Sequence, residues 1–385
     1  MCMIVWAVVS GCTAFVKSAA SLLVVRFFLG VVEAPFFPCA IFYLSCWYKK
    51  SELGIRMGLL VSGLILSNAF AGLIAAGILK GMQNKGGLHS WQWLFIIEAL
   101  VTIVVASSAI FVLPDYPATT KWLSEQERTV AQARLAIDVG SEEALTEDSP
   151  KILVSLLHAF KDYKVWLFAC MQMSITATIS YSHFFPTLIK DLGFKDSFKT
   201  LLLTSPPYCA AFFWAITIAL IADRTQVRST YSGISALLAM IGIIVIIALP
   251  ESAQWPKYAM TFPLTMGTYG VYCTTYTWLS STISRPPQKR AAAIGIANSL
   301  ANLASFYGNY FWLDDYAPEY KQSWGCVLSF ITLCLACISG LRYFLNRENK
   351  RFERLTQDFS EGRLNEYSLK EEETRAVHNG FRYVI

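Results

Sequence analysis

The sequence predicts an all-α membrane protein, and three observations carry that reading. Of 385 residues, 55% are hydrophobic and only 15% are charged, well short of the charge a soluble domain carries. Apolar windows recur along the chain, most of them long enough to cross a hydrocarbon core of ~30 Å. A single extended polar segment, residues 114–162, interrupts them. A globular cytosolic fold is excluded on these grounds.

In chain order, the predicted spans are 3–16, 21–46, 57–79 and 91–113 before the polar segment, then 164–189, 200–222, 230–249, 258–283, 291–313 and 323–345 after it. The polar break is the natural domain boundary. It separates a helical part over 1–113 from a six-span part over 164–345, with a central loop over 114–163 and a tail over 346–385. Within the loop, Thr120–Arg128 predicts the start of an interfacial amphipathic helix, with Ser124 capping its acidic first turn. Acidic residues 142–148 predict a solvated linker.

Loop charge sets the orientation. Basic residues gather after the even-numbered spans: Lys49, Lys50 and Arg56; Lys121, Arg128, Arg134, Lys151, Lys161 and Lys164; Arg224 and Arg228; Arg285, Lys289 and Arg290; then Arg342, Arg347, Lys350, Arg351 and Arg354. The opposite loops carry few lysines. Both termini and the central loop are therefore predicted to be cytoplasmic. The net charge of +5 follows from this asymmetry and implies no nucleic acid partner. The ten cysteines lie in or beside apolar spans, and Cys334-x-x-Cys337 has no flanking histidine. No disulfide framework, metal site or cofactor is predicted. Met1 opens directly on an apolar run without the basic start of a secretory leader.

The second span holds the least ordinary feature. Arg26 and Glu33 both lie within Leu22–Cys46, and a charge near a bilayer centre costs at least ~2.5 kcal/mol. Helical periodicity puts Arg26, Gly30 and Glu33 on one face. That face reads as part of a solute or proton pathway, with a permanent structural ion pair as the alternative. In the third span Gly58, Ser62, Gly63, Ser67, Asn68 and Gly72 predict close helix packing.

The later spans carry the remaining candidates. Tyr181, Ser182 and His183 precede Phe184-Phe-Pro186; the histidine either titrates near neutral pH or is an interfacial bystander. Asp223, Arg224 and Arg228 sit in the turn Ala222-Asp-Arg-Thr-Gln-Val-Arg228. They read as a lock that a conformational change must break, or as a plain surface pair of little value. Tyr269, Tyr272 and Tyr276 recur at i, i+3 and i+7, with Thr275 and Trp278 close by. Their hydroxyls suit a carboxylate and their faces a ring, against ordinary aromatic packing. Asn298, Asn302, Ser305 and Asn309 make one face of the ninth span polar, either as helix glue or as the wall of a wet cavity. There is no phosphate-cradling glycine loop, metal-ligand spacing or nucleophile with its base. An enzyme is not predicted.

Several of these stretches resemble a known family. Arg26-Phe-Phe-Leu-Gly30-Val-Val-Glu33-Ala-Pro-Phe-Phe-Pro38, followed by Trp47-Tyr48, resembles the fourth helix of major facilitator transporters. It is most similar to the anion:cation symporter branch, with its sialin-like carriers and fungal allantoate, nicotinate and pantothenate permeases. Trp91-Gln-Trp-Leu-Phe-Ile-Ile-Glu98, Leu113–Arg128 and the ending Gly380-Phe-Arg-Tyr-Val384 resemble the fungal allantoate permease group in particular.

The resemblance implies a fold of twelve spans, of which about ten are visible; two helices and the first-half gating turn are expected to be missing before the first span, as in an N-terminal truncation. It implies that Glu33 carries the proton while Arg26 sets its pKa or meets the substrate's carboxylate. It further implies that Asp223, Arg224 and Arg228 form a gating turn, although Val227 stands where the family has glycine. The expected substrate site is lined by Arg26, Tyr181, His183, Tyr269, Tyr276, Trp278, Asn298 and Asn302. Ser280 and Ser281 stand where the family has asparagines, which implies a different substrate. The implied function is proton-coupled symport of a small organic anion, a vitamin-like or nitrogen-containing carboxylate such as nicotinate, pantothenate or allantoate. The expected protein is a monomer in the plasma membrane, without a cofactor. The competing readings are a truncated, non-transporting remnant, a nutrient-sensing receptor with the same fold, and a pore.

Overall fold

The computed structural model describes residues 2–48, 50–82, 85–117, 119–120, 122–139, 152–194, 196–250, 252–283, 287–317, 319–361 and 363, with 373–374, 377 and 382–384 in the tail. The acidic linker predicted over 142–148 lies outside them, as do Lys49, Lys121, Lys151 and Arg285 of the basic loops and Gly380-Phe381 of the terminal motif.

Fourteen α-helices and no strands occur among the described residues. They are α1 (Cys2–Cys12), α2 (Ala19–Glu33), α3 (Phe36–Trp47), α4 (Lys50–Gly81), α5 (Ser90–Val112), α6 (Glu125–Val139) and α7 (Ile152–Lys161). After these come α8 (Tyr163–Ile179), α9 (Tyr181–Asp191), α10 (Ser197–Thr225), α11 (Arg228–Ala248), α12 (Gln254–Thr282), α13 (Pro287–Gly308) and α14 (Lys321–Ser360). Each predicted span coincides with one of these helices or with a broken pair. Among the described residues, five segments are long and apolar enough by themselves to cross a bilayer: Gly58–Gly81, Ser90–Val112, Ser197–Thr225, Arg228–Ala248 and Lys321–Ser360. The other spans are short, interrupted or loaded with polar side chains.

The interruptions have local causes. Ser18 starts α2 with a capping box: its hydroxyl accepts the Ser21 N–H at 3.2 Å, and the Ser21 hydroxyl accepts the Ser18 N–H at 3.1 Å. Pro35 then separates α2 from α3, because it has no N–H to donate and its ring crowds the preceding turn. The second predicted span is thus two helices. In the fifth, α9 runs through Pro186 and the interruption falls at Ser180. There the Ser180 N–H turns back to Ala177 in a 3-10 bond, and the hydroxyl accepts the Trp312 indole N–H at 3.1 Å. A tertiary partner fixes this break, so no local sequence signal marks it.

The chain forms two compact units. Unit 1 comprises Met1–Met57, Ser67–Ser149 and Asp196–Ser205; unit 2 comprises Gly58–Leu66, Pro150–Lys195 and Pro206–Ile385. In unit 1, α1 packs on α5 and α2, with Gln92 on α5 donating to the Ala14 carbonyl at 2.7 Å. The small residues expected to bring helices close do so at Gly72, where any Cβ would collide with Thr204 and the Leu201 carbonyl. Ser205 completes that contact by donating to the Ala69 carbonyl at 2.7 Å. Ser124 caps α6 as expected, its hydroxyl accepting the Glu127 N–H at 3.3 Å while the Glu127 carboxylate accepts the Ser124 N–H at 2.9 Å.

In unit 2, α11 packs most extensively on α12. Gly267 makes this possible, since a Cβ there would meet the backbone of Ser235 and Ala239. α12 is otherwise studded with buried threonines, Thr261, Thr265, Thr268, Thr274, Thr275, Thr277 and Thr282. Most of them bond a carbonyl one turn back, which satisfies the hydroxyl without another helix.

Candidate functional site

The polar residues singled out from sequence fall into three places, one in unit 1 and two in unit 2. On α2 in unit 1, Arg26 and Glu33 are both exposed at the protein surface, and no residue of that helix is buried. The Arg26 guanidinium lies 5.7 Å from the centre of the Phe95 ring on α5. Neither Arg26 nor Glu33 belongs to an ion pair among the described residues. Gly30 between them is open, with nothing within 4 Å of an added Cβ.

The second place is the aromatic interior of unit 2. Tyr181 is fully buried at the start of α9, its hydroxyl 3.1 Å from that of Thr268 on α12. One residue along, the Tyr269 ring stands edge-on to Tyr208 of α10 at 5.9 Å, and Tyr208 stands edge-on to Phe185 at 5.4 Å. Two turns further, Tyr276 donates to the Asn298 side-chain carbonyl on α13 at 3.0 Å. Gln172 on α8 is fully buried, and neither of its side-chain polar atoms has a hydrogen-bond partner among the described residues. An amide left so is costly, and an orphaned group of this kind is one a bound polar molecule or water would satisfy.

Four of the sequence candidates thus gather here: Tyr181, Tyr269, Tyr276 and Asn298. Three others do not join them. His183 is exposed on α9, since two residues turn a helix by about 200° and carry it away from Tyr181. Asn302 is exposed on α13. Trp278 is fully buried, but its indole N–H donates to the Val384 carbonyl at 3.0 Å and its ring packs edge-on to Phe168 at 5.3 Å. A surface depression of about 290 Å³ is lined by Phe184, Asn309, Tyr310, Trp312 and Leu313, and by none of these seven. Sequence reasoning missed Tyr208 and Gln172. Tyr208 follows Pro206-Pro207, and Gln172 is the one amide side chain within the apolar run 164–189; both were available as polar exceptions in a span.

The third place is the turn from α10 to α11. Arg228 is buried, bonds the Asp223 carboxylate at 2.9 Å and the Ser281 hydroxyl at 2.9 Å, and also donates to the Thr277 carbonyl. It therefore joins the end of α10 to the end of α12. Arg224 stays exposed, outside this network. The tight turn forms without glycine at Val227, because Gln226 takes the left-handed conformation at φ 55°. Its side chain compensates by donating to the Asp223 carbonyl at 2.6 Å.

Comparison with known proteins accords with this architecture. The sequence profile described as Major Facilitator Superfamily matches residues 1–309. The MFS transporter prlL of a fungal species is 34% identical over 296 residues, covering 77% of this chain and 58% of that protein. The putative metabolite transport protein NicT of Pseudomonas putida is 34% identical over 231 residues, covering 59% of this chain and 50% of its own length. This chain thus spans 58% of the first relative's length and half of the second's. Among solved structures, a D-xylose-proton symporter superposes with a TM-score of 0.64 over 87% of this chain and 78% of the other, at 14% identity, a likeness of fold. Both relatives are described as transporters. On the extent of the profile match, this chain belongs to the Major Facilitator Superfamily.

Proposed function

We propose that the chain is a proton-coupled symporter of a small organic anion, from the anion:cation symporter branch and its allantoate permease-like group. The substrate class is a vitamin-like or nitrogen-containing carboxylate such as nicotinate, pantothenate or allantoate. The observation that carries this reading is that neither Arg26 nor Glu33, on an apolar helix, belongs to an ion pair among the described residues. A permanent structural ion pair would bind the two to fixed partners; groups without one are available to a proton and an anion. Glu33 takes up and releases the proton, and Arg26 attracts the carboxylate.

The polar interior of unit 2 supports the same reading. Tyr181, Tyr269, Tyr276 and Asn298 offer hydroxyl and amide donors to a carboxylate and aromatic faces to a ring, and the buried Gln172 amide adds a further polar group beside Tyr276. His183 and Asn302, exposed, and Trp278, bonded to Val384, stand apart from this group. Asp223, Arg224 and Arg228 act as the gate. The helical parts 1–113 and 164–345, joined by the loop 114–163 and followed by the tail 346–385, are the moving halves of a monomer. Both termini face the cytoplasm at the plasma membrane, as the basic loops favour.

The test is uptake of radiolabelled carboxylates into vesicles carrying the full-length protein, with an imposed proton gradient. Saturable uptake that collapses with a protonophore, and that amide analogues of the substrate fail to inhibit, is the expected outcome. Uptake indifferent to the gradient removes the symport reading, and ligand binding without any uptake favours a receptor.

A further inference from the structure

The transport reading leaves the terminal motif without a role, and the structure gives it a surroundings. Within unit 2, Arg382–Val384 lie at the end of the bundle where α8 and α13 begin and α12 finishes. Asn349 on α14 clamps the Tyr383 backbone on both sides. Its Nδ2 donates to the Tyr383 carbonyl at 2.9 Å, and its Oδ1 accepts the Tyr383 N–H at 2.8 Å. The Tyr383 ring stacks on Phe352 of α14 at 5.8 Å and 29°. Its hydroxyl accepts from Lys164 at the start of α8, 2.6 Å away. Trp278 at the end of α12 donates to the next carbonyl, that of Val384.

Every receptor group here is buried: Tyr383, Lys164, Trp278, Phe352 and Asn349 are all at most 9% exposed. A buried ammonium needs a counter-charge and acceptors. Lys164 finds the charge in Glu348 at 2.8 Å and a further acceptor in the Tyr383 hydroxyl. Without the tail, the Asn349 amide, the Trp278 indole and part of the Lys164 ammonium would all lose partners at once. Side-chain bonds to an extended backbone, flanked by an aromatic pocket, are also how proteins recognise peptides in general. Farther up the tail, Glu373 pairs with Arg351 of α14 at 2.5 Å, so the described pieces of the tail return along that helix.

We propose that the start of α8, the end of α12 and the stretch of α14 that carries Asn349 and Phe352 form a peptide-docking site whose ligand is the chain's own Arg382-Tyr383-Val384 segment. The docked segment straps the extension of α14 to the other two helices. The site does not depend on which solute is carried or on whether it is carried with a proton.

Hydrogen exchange read by mass spectrometry on the intact, membrane-reconstituted protein tests it. The Tyr383 amide should exchange at least about tenfold more slowly than in the free peptide Phe-Arg-Tyr-Val, as expected of a docked rather than a frayed segment. Asn349→Ala should return it to within about twofold of the peptide rate while the α8 core keeps its protection. A Tyr383 amide that exchanges at the peptide rate in the unaltered protein, or protection that survives Asn349→Ala, overturns the proposal. A second measurement is independent of whether that variant folds. A benzophenone amino acid placed at position 383 in the otherwise unaltered chain should cross-link to the peptides around Lys164 or Asn349. Cross-links elsewhere, or none, overturn the proposal equally.

Discussion

Two acid–arginine pairs stand at comparable spacing in this chain, Arg26 with Glu33 and Asp223 with Arg228, and their surroundings differ in every respect. The first lies along one face of an apolar helix, exposed, with an open glycine between its members and no ion pair among the described residues. The second closes a helix turn, with Arg228 buried and bonded to a carboxylate, a hydroxyl and a carbonyl. Charges neutralised by fixed partners hold a structure in one arrangement. Charges without partners in a setting that penalises them are free to exchange a proton or a ligand. Residue type and spacing do not separate the two roles; the count of fixed partners does.

The sharpest way to break this comparison is Glu33→Gln, which keeps the shape and removes the proton. Proton-driven uptake should fall by about a hundredfold or more, as for loss of a group that must itself transfer the proton. Thermal stability should move by no more than about 0.5 kcal/mol, as for a surface position without partners. Intact coupling in the variant would strip the α2 face of its role.

Asp223→Asn should show the opposite pattern, losing stability first. Removing one member of a fully buried ion pair costs about 3–5 kcal/mol. The Asp223 and Arg228 side chains are 20% and 10% exposed, so a loss of about 2 kcal/mol is expected after discounting for solvent. A double-mutant cycle with Arg228→Gln, read by thermal unfolding, should return a coupling of about 1–2 kcal/mol. Coupling indistinguishable from zero would make the turn a surface pair after all.

What the sequence made legible follows from the same distinction. Periodicity and apolar length placed the predicted spans on helices, but the second was read as one span although Pro35 divides it into two helices. The face shared by Arg26 and Glu33 was likewise legible, because helical spacing sets it. Partners in space were not. The break at Ser180 depends on Trp312, far along the chain, and the left-handed Gln226 replaced a glycine that Val227 could not supply. Tyr208 and Gln172 were overlooked as ordinary members of apolar runs. The resemblance placed Trp278 at the substrate site; in the structure its N–H donates to the Val384 carbonyl, a partner distant in sequence.

Glycines provide a second, smaller comparison. Gly267 faces the backbone of α11 so closely that any Cβ must displace it, whereas Gly30 faces open space. Gly267→Ala should therefore cost about 1–3 kcal/mol through overpacking. Gly30→Ala should be neutral or slightly stabilising, since alanine is favoured over glycine in a helix by about 1 kcal/mol. Equal effects at the two sites, measured by unfolding in the same detergent, would mean that α11 and α12 do not meet at Gly267.

The smallest effect concerns a carboxylate outside the apolar spans. The Ser124 N–H and hydroxyl hold Glu127 below the usual carboxylate range, so the cap favours the ionised form. Its contribution is complete above the ordinary glutamate value and is lost as pH falls through the lowered one. Ser124→Ala should move the Glu127 titration upward toward the ordinary value and speed amide exchange in the first turn of α6, with uptake unchanged. Glu127 thus complements Glu33: one carboxylate has fixed donors and serves a helix end, and the other has no ion pair among the described residues. If Ser124→Ala altered proton coupling as strongly as Glu33→Gln, partner count would not be what separates the two roles.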